Sequence, residues 1–382
     1  MLHIRERTLA DLGSASRGRT LVVVSGIHGN EPAGVQAAHR VAGELEPLAA
    51  RLRGRAVFLV GNLSALRAGL RYVDRDLNRA WTRAGVAALR NGGPPAGEWH
   101  SEDREQLELL QELDEILDES IGSAVVLDLH TTSGDNGLFS TVADTLDNRE
   151  VALALPVPLV LGLEELVDGT LHDYLATRGC ATLAFESGQH REPRAEERAR
   201  AAIWIILEAI GLLPESENRE LAASRKLLSR AGRRLPRVLE MRYRHPVVPG
   251  DGFHMRPGYK NFQSVERGEV LAGDRTGPLR APEAARVLMP LYQVQGSDGF
   301  FVVREFSPLW LKVSRALRMS GLARIVHWLP GIRRHPEQEA AFVVDRRVAR
   351  WYALQVLHLL GFKRDRTEGE MLYVRRRSHE LP

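Results

Sequence analysis

The sequence predicts an α/β protein, and three observations carry that prediction. Strand-like and helix-like runs alternate over the first two hundred residues, which is how α/β domains are built. The run Leu21-Val22-Val23-Val24 is apolar throughout and rich in β-branched side chains, as a buried strand requires. At 382 residues the chain is too long for one ordinary core, so a second domain or an appendage is expected.

Composition narrows the class. Hydrophobic residues make up 44% and charged residues 26%, the balance of a globular protein. No stretch approaches the roughly 20 apolar residues that cross a bilayer. The opening residues MLHIRERTLADLG lack the apolar core of a signal peptide. Cys180 is the sole cysteine, which excludes an intramolecular disulfide and any cysteine-held metal, and fits a reducing cytoplasm. The net charge of +3 hides an asymmetry. Residues 311–382 carry 15 Lys/Arg against 7 Asp/Glu, a surplus of +8, so residues 1–310 sum to −5. An arginine-rich face packing on an acidic body accounts for this, and neither nucleic acid nor membrane is expected as a partner.

Expected strands are 20–25, 56–61, 124–129, 159–163 and 181–186. Pro32 suits a first helical turn, and that helix runs to about Glu46. Ser101 with the acids that follow it caps an amphipathic helix bearing Leu107, Leu110, Leu113 and Leu117. A third helix spans 195–212, ending near Gly211. Residues 215–236 are charged and lack strong apolar blocks, so they read as a linker after a catalytic domain at 1–214. Short strand-like pieces between Pro and Gly then mark a small β-rich domain at 237–310. In the basic extension, 311–382, residues 342–360 read as a helix and Met371–Arg375 as the last strand of a hairpin. Trp204, Trp310 and Trp351 read as packing residues.

Chemistry gathers at strand ends. The stretch LVVVSGIHGNEPAG places His28 and Glu31 in a loop just after an apolar strand. Leu127-Asp128-Leu129-His130 ends another strand, and alternation puts Asp128 and His130 on one face. Phe185-Glu186-Ser187-Gly188 ends a third with a carboxylate. His28, Glu31 and His130 would give a metal three protein ligands and leave a fourth position open, the catalytic zinc arrangement. Glu186 would then serve as general base, and Asp128 would support His130 from behind. The run Arg71-Tyr72-Val73-Asp74-Arg75-Asp76-Leu77-Asn78-Arg79 offers Arg79 with Asn78 for a substrate carboxylate and Arg71 for a developing oxyanion. Asp76 reads as a group that orients an arginine, and His190 lies close enough to Glu186 to line a pocket.

The motifs GIHGNEPAG, RYVDRDLNR, DLHTT and FESG, in that order, resemble the succinylglutamate desuccinylase/aspartoacylase family, relatives of the carboxypeptidase A-like zinc hydrolases. The resemblance covers residues 20–190. It implies a zinc-carboxypeptidase-like mixed sheet flanked by helices, with a smaller C-terminal β-rich domain. A basic helical or hairpin tail would follow, for which that family's small enzymes offer no counterpart. One zinc ion per chain, bound by His28, Glu31 and His130, is implied, with Glu186 as catalytic carboxylate and Arg71 near the scissile carbonyl. Asn78 and Arg79 would hold the substrate carboxylate. The family's tyrosine and arginine before the catalytic glutamate map onto Tyr174 and Arg178, and its substrate-contacting tyrosine onto Tyr259. The implied activity is hydrolysis of an amide in a small carboxylate-bearing substrate such as an N-acyl amino acid. A carboxypeptidase-type peptidase and a non-catalytic carboxylate-binding scaffold stay open as alternatives, as does homo-oligomerisation.

Overall fold

A computed structural model describes residues 4–122, 124–335, 341–345, 347–349 and 353–377. The N-terminal part runs β1 (Thr8–Gly13), β2 (Thr20–Ser25), α1 (Pro32–Leu45), β3 (Arg55–Val60), α2 (Leu63–Ala68), α3 (Arg83–Arg90), α4 (Ser101–Glu119) and β4 (Val125–Thr132). It continues with β5 (Leu138–Val142), α5 (Leu146–Leu153), β6 (Leu159–Leu161), α6 (Leu171–Thr177), β7 (Ala181–Gln189) and α7 (Ala195–Ala209). Then come α8 (Leu221–Gly232), β8 (Val238–Pro246), β9 (His254–Met255), β10 (Ser264–Val265), β11 (Val270–Asp274), β12 (Gly277–Arg280), β13 (Ala285–Leu288) and β14 (Asp298–Glu305). The extension holds α9 (Pro308–Met319), β15 (Ile332–Arg334), β16 (Ala341–Asp345), α10 (Ala353–Leu359), β17 (Phe362–Glu368) and β18 (Met371–Arg376).

The architecture is a mixed α/β sheet flanked by helices, as the sequence predicts. Eleven strands form the main sheet in the order β1-β3-β2-β4-β7-β5-β6-β8-β14-β13-β10. Its centre, β3-β2-β4-β7, is parallel, so those four strands share one carboxyl edge. Alternation sorts the side chains of the centre. Leu21, Val23, Leu127, Leu129, Leu183 and Phe185 join α1 and α7 in one core layer. Val22, Val24 and Val126 join α4 and α6 in the other. Both faces of the central strands are therefore buried, which explains why β2 reads as an unbroken apolar run.

Several expectations are corrected. The stretch read as a linker contains α8, whose Leu221 and Leu228 enter the first core layer. The expected β-rich region is present, with its strands divided between two sheets. Its strands β8, β14, β13 and β10 extend the main sheet, and only β12-β11-β9 form a separate one. Residues 342–360 are not one helix. β16 takes the β-branched start, and α10 follows later. The tail carries a four-stranded sheet, β15-β16-β18-β17, beside its helices. Trp204 is buried and Trp310 is 48% exposed, while Trp351 lies outside the described residues. No helix among the described residues is long and apolar enough to cross a membrane.

The extension is tied to the body by charge. His358 of α10 lies 3.2 Å from Glu165 and 3.6 Å from Glu240, with Arg377 opposing. Burial disfavours its positive charge, but the two carboxylates push it up to about 9. A histidine raised this way stabilises the fold fully below its unfolded value of about 6.5. That contribution is lost as pH rises through about 9. Thermal melts across this window should show the wild type losing more melting temperature than the His358→Gln variant. Parallel curves would show that the ion pair contributes nothing.

Candidate metal centre

The parallel strands bring distant residues to one edge, where α/β proteins place their sites. His130 of β4 and Glu186 of β7 are direct register partners. His28 and Glu31 lie in the loop from β2 to α1, beside β4. Gly26 turns out of β2 with φ +66°, a conformation that suits glycine. A Cβ at Gly29 would sit 2.0 Å from the Ala65 carbonyl carbon. The loop thus packs directly on α2, with His28 turned inward and buried. Glu31 precedes Pro32 but does not cap α1 with its side chain, so its carboxylate is free for the cleft.

Glu31 bridges the two histidines. One carboxylate oxygen lies 2.9 Å from His28 Nδ1, and the other lies 3.3 Å from His130 Nδ1. The Thr131 backbone N–H donates to that second oxygen at 2.7 Å. One ligand atom from each of His28, Glu31 and His130 falls within 4.8 Å of the others. The far nitrogen of each imidazole meets an outer carboxylate. His28 Nε2 is 3.3 Å from Asp76, and His130 Nε2 is 2.9 Å from Asp128. Such outer carboxylates fix ring orientation and leave the inner nitrogen's lone pair for a metal.

The electrostatics favour a cation at this point. Glu31, Asp128 and Glu186 are buried and Asp76 is partly so, and Arg71 is the permanent cation among them. Burial opposes ionisation of Glu31, but His28 and His130 hold its carboxyl well below the ordinary range. For Asp76, burial is likewise overcome by Arg71 and His28. His130 resists burial because Asp128 and Glu31 push it well above its usual value. Glu186 behaves oppositely. Burial pushes it up to about 8, and its Oε2 is buried without a hydrogen-bond partner. Two imidazole nitrogens and a carboxylate oxygen fit a divalent metal of the zinc type.

The remaining predicted residues divide. Arg71 lines the cleft, donating to Asp76 at 3.0 and 3.2 Å. Asn78 and Arg79 also line it, and Asn78 Oδ1 accepts from the Leu171 backbone at 2.9 Å. Arg79 is ion-paired with Asp298, which also accepts from Arg244 Nε at 2.5 Å. His190 lines the cleft too, 2.8 Å from Thr131 Oγ1 and 3.1 Å from Gln293. Tyr174 and Arg178 do not reach it. Tyr174 packs in the core against Trp81, with ring centroids 5.5 Å apart, and Arg178 pairs with Asp114 at 2.5 Å. Tyr259 instead donates to Glu269 at 2.6 Å. Asp298, Gln293 and buried His172 line the cleft without any signal in the sequence, because no motif surrounds them.

Fold and site together define an α/β protein with a buried His-Glu-His group able to hold a metal at the carboxyl edge of its sheet. Residues 17–205 match the Succinylglutamate desuccinylase/Aspartoacylase catalytic domain. That segment belongs to the succinylglutamate desuccinylase/aspartoacylase family. A succinylglutamate desuccinylase of Pseudomonas paraeruginosa is 40% identical over 73 residues, 18% of this chain and 20% of that protein. The chain thus spans about a fifth of the length of the curated relatives it matches. A succinylglutamate desuccinylase/aspartoacylase structure from Rhodobacter sphaeroides superposes with a TM-score of 0.55 at 20% identity, covering 77% of this chain and 87% of that one. The product-bound ectoine utilization protein EutE (DoeB) of Ruegeria pomeroyi gives 0.52 at 21% identity, covering 76% and 86%. These structures share its fold.

Replacing Asp128 by Asn keeps the shape behind His130 and removes the charge. Chelator competition should show metal affinity falling by about 10- to 100-fold. Unchanged affinity would show that His130 needs no such support.

Proposed function

We propose that this chain is a zinc-dependent hydrolase that cleaves an amide bond in a small carboxylate-bearing substrate, an N-acyl amino acid or a close relative. One observation carries the reading. Glu186, buried and with an unpartnered oxygen, stands beside His130 at the His28-Glu31-His130 group. Zinc bound there by His28, Glu31 and His130 would supply Lewis acidity and lower the pKa of a bound water.

The chain's own groups do the rest. Glu186 takes the proton of the water that attacks the amide carbonyl, and then gives it to the departing amine. Its raised value suits a group that must both accept and release a proton near neutral pH. Arg71, held by Asp76 beside Glu31, faces the oxyanion that forms as water adds. Arg79 and Asn78 take the substrate carboxylate. Asp298 does not cancel this role, because Arg79 and Arg244 share it and one positive charge is left over. Arg79 Nε is also buried and unpartnered.

A peptidase reading is less well supported. Leu291, Gln293, Ser297 and Asp298 from the C-terminal region wall the cleft, which leaves about 110 Å³. That space suits a small molecule better than a peptide strand. A scaffold reading would predict a missing ligand or base, and against it His28, Glu31, His130 and Glu186 all line one cleft.

Zinc-loaded protein offered a library of N-acyl amino acids, beside a peptide panel, should hydrolyse the former. Glu186→Gln should abolish turnover while zinc stays bound; surviving activity would rule out this mechanism. Arg79→Met should lower kcat/KM by roughly 10²-fold, mostly through KM, as loss of a charge-paired contact does. An effect confined to kcat would place Arg79 elsewhere in the reaction.

A further inference from the structure

A second cavity, of about 600 Å³, lies between the main sheet and the C-terminal extension. It shares no lining residue with the metal cleft. Its volume falls within the range of small-molecule sites, about 300–1,000 Å³. β6 and β8 form one side, and α9, α10 and β17 contribute from the extension. The cavity walls differ in chemistry. Leu166, Met241, Phe306, Trp310 and Val356 give an apolar surface, with Trp310 half exposed. The charged lining sets five arginines and His358 against Asp144, Glu165, Glu240 and Glu305, and the fold does not fully satisfy two of the arginines.

Arg149 is the clearest of these. It is 5% exposed, its Nε pairs with Asp144, and its guanidinium makes no other ion pair or hydrogen bond among the described residues. A buried guanidinium N–H without an acceptor is costly, and native structures generally satisfy such groups with a ligand or ordered water. Arg364 lines the same cavity, and its guanidinium makes no ion pair among the described residues. Arg377 nearby is committed to Glu164 and Glu165 at 3.0 and 2.5 Å, so it fixes the wall rather than offering a free donor.

The geometry points to this cavity as a second ligand site, for a small amphipathic anion whose carboxylate meets Arg149 and Arg364 and whose apolar body lies along Met241, Phe306 and Trp310. The apolar wall disfavours a bare inorganic anion, and the surplus of cationic over acidic lining groups disfavours a neutral or cationic amphiphile. The site is independent of the metal cleft and of the reaction proposed there.

Octanoate is a suitable probe. Calorimetric titration of the zinc-loaded full chain should show saturable binding, with octan-1-ol and inorganic phosphate each about tenfold weaker or more, since each lacks half of the recognition. Arg364→Glu and Trp310→Ala, each checked for an unchanged fold by circular dichroism, should weaken octanoate by about tenfold or more. Arg79→Met should leave that binding unchanged. The proposal is overturned if octanoate does not bind or if phosphate binds as well. It also fails if both cavity variants bind like wild type, or if Arg79→Met abolishes binding and so assigns the octanoate to the metal cleft.

Discussion

The rest of the site depends on one buried carboxylate. Glu31 is almost wholly excluded from water, and ionising such a group without compensation is prohibitive. Here the compensation is built from two sides of the sheet edge. His28 approaches from the loop after β2, and His130 with the Thr131 N–H approaches from β4. Each is already committed elsewhere, His28 to Asp76 and His130 to Asp128. The carboxylate therefore ties the loop after β2 to the end of β4.

That arrangement also sets Glu186 apart. All the carboxyls at this edge suffer burial, but Glu31 and Asp76 have cations or imidazoles in direct contact. Glu186 is opposed by Glu31 and Asp128 and is only partly helped by His130 and Arg71. Groups of one chemical type are thus separated into carboxylates held ionised and one carboxyl pushed upward by their neighbours alone. The register of β4 against β7 does this, since a shift of one residue would turn Glu186 to the opposite face of the sheet.

What could be read from the sequence follows the same logic. Groups next to strong local signals were legible. His130 and Glu186 each close an apolar run, His28 and Glu31 follow one in the next loop, and β2 spans the residues its composition predicts. Residues without a local signal were not legible. Asp298 meets Arg79 across 219 positions, and nothing around it marks that contact. β5, with its LFSTV sequence, is too short and polar to stand out, yet it pairs with β7 beside Glu186. α8 hides because few apolar residues suffice to dock an otherwise charged helix. Tyr174 and Arg178 have the right mutual spacing, but they sit on and just after α6, where they meet Trp81 and Asp114.

The basic extension shows how charge asymmetry becomes structure. Its surplus of arginines faces an acidic body, and the two meet by direct pairing. Arg318 is 3% exposed and reaches Asp144 at 2.9 Å, while Arg377 reaches Glu164 and Glu165. Asp144 is held low by Arg149, Arg318 and Arg377 together, against the full opposition of burial. Such pairs add little net stability over an apolar core, but removing one partner strands the other in a dry site, which typically costs about 3–5 kcal/mol. The extension is therefore not an ornament on a finished body. Without Arg318 and Arg377, the turn and helix that follow β5 and β6 would carry buried acids with too few cations, next to strands that hold the cleft's own walls.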